Sequence, residues 1–278
     1  MLKKPDWLRI KLPSAREYSQ VKFYLWKHKL HTICESGNCP NLGECWAAGN
    51  ATFMILGDIC TRSCGFCNVK TGKPNDVDFD EPARVAEAIK LMDLKHCVIT
   101  SVDRDDLEDG GSGIWAETVD AIRKLNPDTT VETLIPDFQG KIENLQKILN
   151  AKPDIVSHNL ETVKILTKKV RKQAIYERSL DVIKNISNAG IKSKSGIMVG
   201  LGETKEEILE TMDDLIKAEC KIFTVGQYLQ PTKNHLPVTE YIHPDIFEEI
   251  KKAGYEKGFE FVESGPLVRS SYHAEKQI

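Results

Sequence analysis

The sequence lacks the features that would place the chain in a membrane or on a nucleic acid. No run of about 18 consecutive apolar residues occurs among its 278 residues, which argues against a transmembrane helix. Its formal net charge of -3 gives no general reason to expect nucleic-acid binding. The N-terminus has two lysines but no apolar stretch after them, unlike a secretory signal. We therefore expect a cytoplasmic protein with neither a membrane nor a nucleic-acid partner.

Cysteine is scarce over most of the chain and concentrated in one window. Six of the eight cysteines lie between Cys34 and Cys67, whereas Cys97 and Cys220 stand alone and are expected to be buried. A secreted disulfide scaffold would be short and rich in cysteine throughout. In a reducing compartment, a confined group of thiols is typical of metal or iron–sulfur ligation.

From about residue 52, short β-branched runs alternate with amphipathic stretches. The sequence predicts six strands, at residues 52–56, 97–100, 130–135, 155–157, 195–199 and 222–228. It predicts helices at residues 82–92, 114–125, 142–150, 179–189 and 205–218. This alternation implies a parallel sheet with right-handed crossovers. We predict an α/β fold, a partial (β/α)6 barrel with N- and C-terminal extensions.

Three segments follow from this pattern. Residues 1–50 form an N-terminal extension that carries three of the clustered cysteines, and residues 51–230 form the barrel. Residues 231–278 form a C-terminal extension with one more helix, at 244–257, and a short strand, at 259–263. In parallel βα barrels the chemistry lies at the carboxyl ends of the strands.

One trio of cysteines follows the first predicted strand directly. Cys60, Cys64 and Cys67 have the spacing C-x3-C-x2-C. Three thiolates can hold three corners of a [4Fe–4S] cluster, which leaves the fourth iron free to bind S-adenosylmethionine (SAM). The spacing is typical of the radical SAM superfamily. The alternatives are a structural zinc loop, which needs a fourth nearby ligand, and a set of reduced core thiols.

A second trio lies upstream of the barrel. Cys34, Cys39 and Cys45 have the spacing C-x4-C-x5-C, with turn-forming residues between them. These thiolates also suit a cluster. Spacing alone leaves a zinc site or a disulfide equally open.

The two trios together, in this order, make the sequence similar to the lipoyl synthase family. Near the C-terminus the family's R-S-S-Y motif is present at residues 269–272. The stretches at residues 100–113, 131–138, 157–163, 198–207 and 227–238 also resemble that family. The resemblance implies radical SAM-dependent insertion of two sulfur atoms at C6 and C8 of a protein-bound octanoyl-lysine.

The resemblance also implies the cofactors and the residues that hold them. Cys60, Cys64 and Cys67 correspond to the ligands of the radical SAM cluster. The upstream trio and Ser271 correspond to the ligands of an auxiliary [4Fe–4S] cluster that supplies the sulfur, and Arg269 of the same motif belongs to the catalytic site. By itself, a serine in this position is more often a turn or cap residue.

Polar residues after several predicted strands are candidates for binding SAM. They are Ser101, Asp103, Asn159, Glu161, Arg178, Gly200, Gly202 and Glu203. A helix cap or a surface contact is an equally good explanation for each of them taken singly.

The resemblance implies several partners. The substrates are octanoylated carrier domains, from the E2 subunits of 2-oxoacid dehydrogenases or the H protein of the glycine cleavage system. Reduced ferredoxin or flavodoxin supplies electrons, and an iron–sulfur carrier protein restores the auxiliary cluster. The basic run at residues 168–172 could attract an acidic carrier domain, although such runs are more often solvated surface.

Other classes of protein remain to be weighed against this interpretation. Another two-cluster radical SAM enzyme, such as a biotin-type sulfur inserter or a methylthiotransferase, would share both trios but not the motif at residues 269–272. A two-cluster electron carrier would use four cysteines per cluster in a small fold. A zinc-binding interaction protein would contain zinc instead of iron and sulfide.

Overall fold

The structure, a computed structural model, describes residues 3–9, 15–47 and 51–277. Its strands form an eight-stranded sheet and a two-stranded ribbon. They are β1 (His31–Thr32), β2 (Thr52–Ile55), β3 (Ile59–Cys60), β4 (Lys70–Thr71), β5 (His96–Ser101), β6 (Thr130–Leu134), β7 (Ile155–Ser157), β8 (Lys192–Val199), β9 (Ile222–Gln227) and β10 (Phe261–Gly265). The sheet has the order β1-β2-β5-β6-β7-β8-β9-β10. All its neighbouring pairs are parallel except β1 with β2.

Helices precede the first parallel strand and, after it, provide the crossovers between the parallel strands. They are α1 (Ala15–Lys27), α2 (Ile33–Ser36), α3 (Leu42–Ala47), α4 (Glu81–Leu91), α5 (Ser112–Leu125), α6 (Ile142–Asn150), α7 (Thr167–Val170), α8 (Tyr176–Asn188), α9 (Lys205–Lys217) and α10 (Pro244–Lys257). The crossover helices are amphipathic. In α6, for example, Leu145, Ile148 and Leu149 are buried at helical spacing.

The predicted α/β architecture with its parallel sheet is confirmed. Each of the six predicted barrel strands is present, and the predicted helices agree with α4, α5, α6, α8, α9 and α10 to within three residues at each end. The sheet has seven parallel strands instead of six, because β10 extends it beside β9. The last strand of the predicted C-terminal extension is therefore part of the barrel sheet. The division into three segments otherwise stays a prediction.

The segments before and after the barrel are joined to each other and to the sheet. Strand β1 pairs antiparallel with β2 at one edge of the sheet. The side-chain amide of Asn41 donates to the carbonyl oxygen of Leu267 at 2.6 Å. The hydroxyl of Tyr272 donates to Glu44 Oε1 at 3.3 Å. Residues more than 200 positions apart thus meet at one side of the barrel.

A buried ion pair links strands β6 and β8. Lys194 and Glu132 are both 0% exposed, and Lys194 Nζ lies 2.9 Å from Glu132 Oε1. The hydroxyl of Ser157, on the intervening strand β7, donates to the same oxygen at 2.8 Å. Two charges buried away from water are costly unless each is paired and hydrogen-bonded, as they are here.

Within the residues that the structure describes, none of the helices has the length and apolar composition of a membrane span.

We expect Glu132→Leu to lower the free energy of unfolding by about 3–5 kcal/mol, because it leaves the Lys194 ammonium buried without a counter-charge. Urea denaturation measures this loss. The double variant Glu132→Leu/Lys194→Met should recover most of it, since apolar side chains of similar volume then replace both charges. A single variant as stable as the unmodified protein would contradict this account of the pair.

Candidate active site

The loop that carries the downstream cysteine trio follows β2 and is held from three sides. The parallel ribbon of β3 and β4 closes its base. The amide of Gly65 donates to the carbonyl of Val170 at 2.9 Å, and the amide of Leu236 donates to the carbonyl of Gly65 at 3.0 Å. A Cβ atom on Gly65 would lie 2.9 Å from Leu236 Cγ, so only glycine fits under the covering segment.

The three thiols of this loop are free and partly shielded from solvent. Burial raises the pKa of Cys60 and of Cys67 to about 11 and the pKa of Cys64 to about 12. The Asp103 carboxylate and the neighbouring thiols raise the pKa of Cys60 further. Without a cation nearby, thiolates are therefore disfavoured here. Bound iron would supply the missing positive charge, since a coordinating thiol is deprotonated outright.

The upstream trio lies around a small cavity together with Arg269 and Ser271. Burial raises the pKa of Cys34 to about 11 and the pKa of Cys45 to about 12, and it also raises the pKa of Cys39. The mutual repulsion of the three thiolates adds to the increase for Cys45. The three sulfurs are thus close neighbours, although their residues come from separate turns of the N-terminal segment.

The surroundings of Cys34 fit a sulfur-ligated cluster. The Trp46 side chain, on α3, is 0% exposed. Its indole N–H makes no full hydrogen bond to the described residues. It lies near enough to the Cys34 thiol to lower the pKa of that thiol. An indole N–H can only donate, so a permanently anionic sulfur there would satisfy it.

Within the described part of the chain, no three His, Cys, Asp or Glu side chains converge closely enough to hold one metal ion. Zinc needs ligands at about 2.0–2.3 Å from one point. The thiolates of a cube of four irons each bind a different iron and lie farther apart.

A larger cavity of about 500 Å³ connects the two trios at the carboxyl ends of the strands. Its wall includes Cys34, Cys39, Cys60, Cys64, Cys67, Arg269 and Ser271. Four of the residues predicted to bind SAM also line it, namely Ser101, Asp103, Asn159 and Glu161. The structure thus brings together, around two adjoining cavities, all seven predicted cluster ligands and half of the predicted SAM contacts.

The other four candidates lie outside the lining of this cavity. Arg178 instead donates to Asp137 Oδ2 at 3.1 Å. The Glu203 carboxylate accepts a hydrogen bond from the amide of Leu201 at 3.0 Å and so closes its own turn. Gly200 and Gly202 have positive φ angles, which that turn requires. Contacts between SAM and Arg178, Gly200, Gly202 or Glu203 stay a prediction, while hydrogen bonds hold the side chains of Arg178 and Glu203 in local structure.

Two arginines at the site escaped the sequence prediction. Arg62 is buried among carboxylates, with its Nε 2.7 Å from Asp105 Oδ2 and its Nη2 2.7 Å from Asp137 Oδ1. Arg171 is buried at the cavity wall, where its Nη1 donates to the carbonyl of Leu160 at 3.2 Å. Arg62 lies between Cys60 and Cys64 in the sequence, and this position could have identified it as a residue of the site. Arg171 was hidden in the basic run, of which only the lysines are exposed.

The C-terminal motif is tied to the strand ends by a polar network. The Asn159 side-chain amide donates to Glu161 Oε1 at 3.0 Å and to Ser270 Oγ at 2.6 Å. Burial raises the pKa of Glu161 and lowers the pKa of Arg269, and their opposite charges partly offset both effects.

Asn159 Oδ1 and Ser101 Oγ are buried without a hydrogen-bond partner among the described residues. A polar ligand in the cavity would satisfy them.

Comparison with known proteins agrees with this geometry. The model of the Radical SAM superfamily matches residues 54–215, more than half of the chain. SuiB from Streptococcus suis bound to S-adenosylmethionine has a similar fold, with a TM-score of 0.59 at 16% identity over 82% of this chain and 54% of that chain. HydG, a maturase of the [FeFe]-hydrogenase, gives a TM-score of 0.58 at 13% identity over 93% of this chain and 74% of its own. The fold and the cavity define a radical SAM enzyme.

Sequence relatives narrow the class further. "Lipoyl synthase, mitochondrial" from Nematostella vectensis is 63% identical over 276 residues, which cover 99% of this chain and 95% of that protein. Lipoyl synthase from Flavobacterium psychrophilum is 62% identical with the same coverage. The chain belongs to the lipoyl synthase family. It is a radical SAM sulfurtransferase, which excludes the electron-carrier and zinc-protein alternatives.

The ion pair between Arg62 and Asp137 can be tested through the Asp137 carboxylate. Burial raises the pKa of Asp137, but the adjacent Arg62 guanidinium outweighs it and holds this pKa at about 2. The resulting stability is present above the carboxyl's unfolded pKa of about 4 and is lost as the pH falls towards 2. Asp137→Asn should therefore lower the free energy of unfolding by on the order of 2 kcal/mol at pH 7.

Urea denaturation at pH 7, 5 and 3 measures this effect, and the deficit of the variant should shrink below pH 4. Asp93→Asn is the matched control, because the Asp93 side chain is exposed. If the deficit of Asp137→Asn were the same at every pH, Arg62 would not be what stabilises the charged carboxylate.

Proposed function

We propose that Cys60, Cys64 and Cys67 hold the [4Fe–4S] cluster that activates SAM. Cys34, Cys39, Cys45 and Ser271 then hold the auxiliary [4Fe–4S] cluster that supplies sulfur. One observation supports this assignment above the others: the downstream trio, two cysteines of the upstream trio and Ser271 border the same cavity, together with polar strand-end residues. When it is bound and reduced, the first cluster supplies the electron that cleaves SAM into methionine and a carbon radical able to abstract hydrogen from apolar C–H bonds.

The chain's own residues prepare the cavity for such a reaction. Phe66, Met198 and Tyr228 provide apolar surface in its wall, and Phe66 and Met198 pack against the buried cluster to which Tyr228 belongs. An octanoyl chain fits apolar surface of this kind, and excluding water protects a radical from side reactions. No basic side chain could remove a proton from C6 or C8 of octanoate at a useful rate. The protein therefore acts by positioning and shielding, not by acid–base catalysis at those carbons.

The polar side of the same cavity suits SAM. Ser101 and Asn159 offer buried polar atoms that lack protein partners. The carboxylates of Asp103 and Glu161 lie in the wall between the two trios. Burial raises the pKa of both carboxyl groups, while nearby arginines counteract this increase. These four residues are our candidates for holding the hydroxyl and cationic groups of SAM.

The substrates and partners follow from the family. We propose octanoylated carrier domains of 2-oxoacid dehydrogenase E2 subunits or of the glycine cleavage H protein as substrates. Reduced ferredoxin or flavodoxin is the proposed electron donor, and an iron–sulfur carrier protein the proposed source of a new auxiliary cluster. The cytoplasmic location stays a prediction.

Anaerobic reconstitution tests the cluster assignment. We expect about eight irons and eight sulfides per chain, as two cubes require, and about four of each when all three cysteines of either trio are changed to alanine. With an octanoyl-lysine peptide, SAM and dithionite, the unmodified chain should add two sulfur atoms to the peptide, measured by mass spectrometry. The Cys34→Ala/Cys39→Ala/Cys45→Ala variant should still cleave SAM but add no sulfur. Four irons in the unmodified chain would contradict the proposal.

The exposed lysines beside the downstream trio test the docking of the carrier. Lys168, Lys169 and Lys172 are exposed on the segment whose Val170 carbonyl binds Gly65. Changing all three to glutamate should raise KM about tenfold for an acidic octanoylated carrier domain, because encounter loses its electrostatic steering.

The same variant should leave KM for a neutral octanoyl-lysine peptide unchanged. The matched control changes Lys90, Lys124 and Lys152, which are exposed at other places on the barrel, to glutamate. Equal effects of the two triple variants would show that only net charge matters and would remove the docking role of residues 168–172.

A further inference from the structure

Thr52 occupies a special place at the auxiliary site. It is the first residue of β2, it is 4% exposed, and it borders both cavities. Its hydroxyl donates to Ser271 Oγ at 2.8 Å. This hydrogen bond joins the first barrel strand to a residue 219 positions later in the chain. Thr52 is thus held in the parallel sheet, where it pairs with Val98, whereas Ser271 lies in a short loop after β10.

The same threonine also faces a thiol of the upstream trio. Thr52 and Cys34 line the same two cavities. One residue of the sheet therefore adjoins a thiol of the N-terminal segment and binds an oxygen of the C-terminal segment. Both are proposed ligands of one cluster.

The neighbours of Ser271 are held by other contacts. Ser270 is bound by Asn159, and Tyr272 is bound to Glu44. These contacts fix the course of the loop but leave the Ser271 side chain free to rotate about its χ1 bond. The hydrogen bond from Thr52 selects one of its rotamers. The side chain of a β-branched residue such as threonine has few χ1 rotamers in a strand. Little side-chain entropy is therefore lost when the Thr52 hydroxyl fixes the direction of the serine oxygen.

We propose that Thr52 is a positioning residue for Ser271: its hydroxyl holds the serine oxygen beside Cys34, towards the auxiliary cluster. This inference rests on the proposed role of Ser271 as a ligand. A hydrogen bond to a ligand atom fixes its direction, and the loss of such a partner typically weakens metal binding 10- to 100-fold. The Thr52 hydroxyl also gives the serine oxygen a partner in the same place whenever that oxygen is not bound to iron.

Iron release tests the proposal directly. The test uses the full chain with Cys60, Cys64 and Cys67 changed to alanine, so that all reconstituted iron belongs to the auxiliary site. Thr52→Val removes the hydroxyl and keeps the shape, and we expect it to release iron to a chelator about tenfold faster. Thr52→Ser keeps a hydroxyl and should restore the original rate to within about twofold.

The matched control is Thr133→Val. Thr133 is 0% exposed in the adjacent part of the same sheet, and its hydroxyl has no hydrogen-bond partner among the described residues. This variant should leave iron release unchanged. If Thr52→Val does not yield folded protein, Thr52→Ala against Thr52→Ser provides the same comparison. Release at the original rate from the variant without a hydroxyl, or fast release from Thr52→Ser, would overturn the proposal.

Ser271→Ala separates the failure of this inference from the failure of the proposed function. If Ser271 is a ligand, Ser271→Ala changes the Mössbauer spectrum of the auxiliary cluster and speeds iron release. Adding Thr52→Val to it should then speed release by no more than about twofold, because the two residues act in series. An unchanged spectrum in Ser271→Ala would refute the ligand assignment and this inference with it. A full additive effect of Thr52→Val would refute only the role of Thr52.

Discussion

Six buried or partly buried thiols surround two adjoining cavities, and the rest of the active site depends on this burial. Burial raises the pKa of every one of the six, so the thiolates that ligate iron are disfavoured until a cation is present. Metal binding and completion of the site are therefore coupled, because iron binding must displace protons. The free energy of cluster binding is partly the free energy of ordering the N- and C-terminal segments.

That coupling explains why the chain ends meet where they do. The upstream trio lies on short helices that have little core of their own, and β1 contributes two residues to the sheet. Asn41 and Glu44, which lie between Cys39 and Cys45 in the sequence, contact the C-terminal segment at Leu267 and Tyr272. The proposed ligand set is drawn from both segments, so this side of the barrel is complete only when both are in place. The residues that bound the cavity here are thus the proposed ligands themselves.

The sequence predicted the barrel well because its periodicity is local. Predicted helix 142–150 agrees with α6 at both ends, since buried leucines and isoleucines recur at helical spacing there. The cysteine spacings and the motif at residues 269–272 identified all seven candidate ligands, and the structure gathers them. Strand β10 was recognised, but its pairing with β9 depends on a long-range contact that no local pattern records. The same holds for the Thr52–Ser271 hydrogen bond.

Four of the eight predicted SAM contacts line the larger cavity, and the other four stay predictions. The rule that chemistry follows the strands locates a rim of the barrel, but it does not say which polar groups on that rim are already used. Glu203 closes its own turn, and Arg178 binds Asp137. Ser101 and Asn159 occupy equivalent positions in the sequence pattern yet keep buried polar atoms unpartnered. The two pairs of residues differ in the hydrogen bonds that they make in the folded chain, and the sequence does not show these bonds.

Each cysteine trio has a buried arginine beside it. Arg171 lies close enough to Cys64, and Arg269 close enough to Cys39, for each guanidinium to lower the pKa of that thiol against the effect of burial. Each trio thus has one cysteine beside a permanent cation that comes from a distant part of the chain. Burial nonetheless keeps the pKa of both thiols raised, so a bound metal ion is still needed to hold them as thiolates. A bound iron–sulfur cluster with thiolate ligands would carry net negative charge, which the same two arginines would offset.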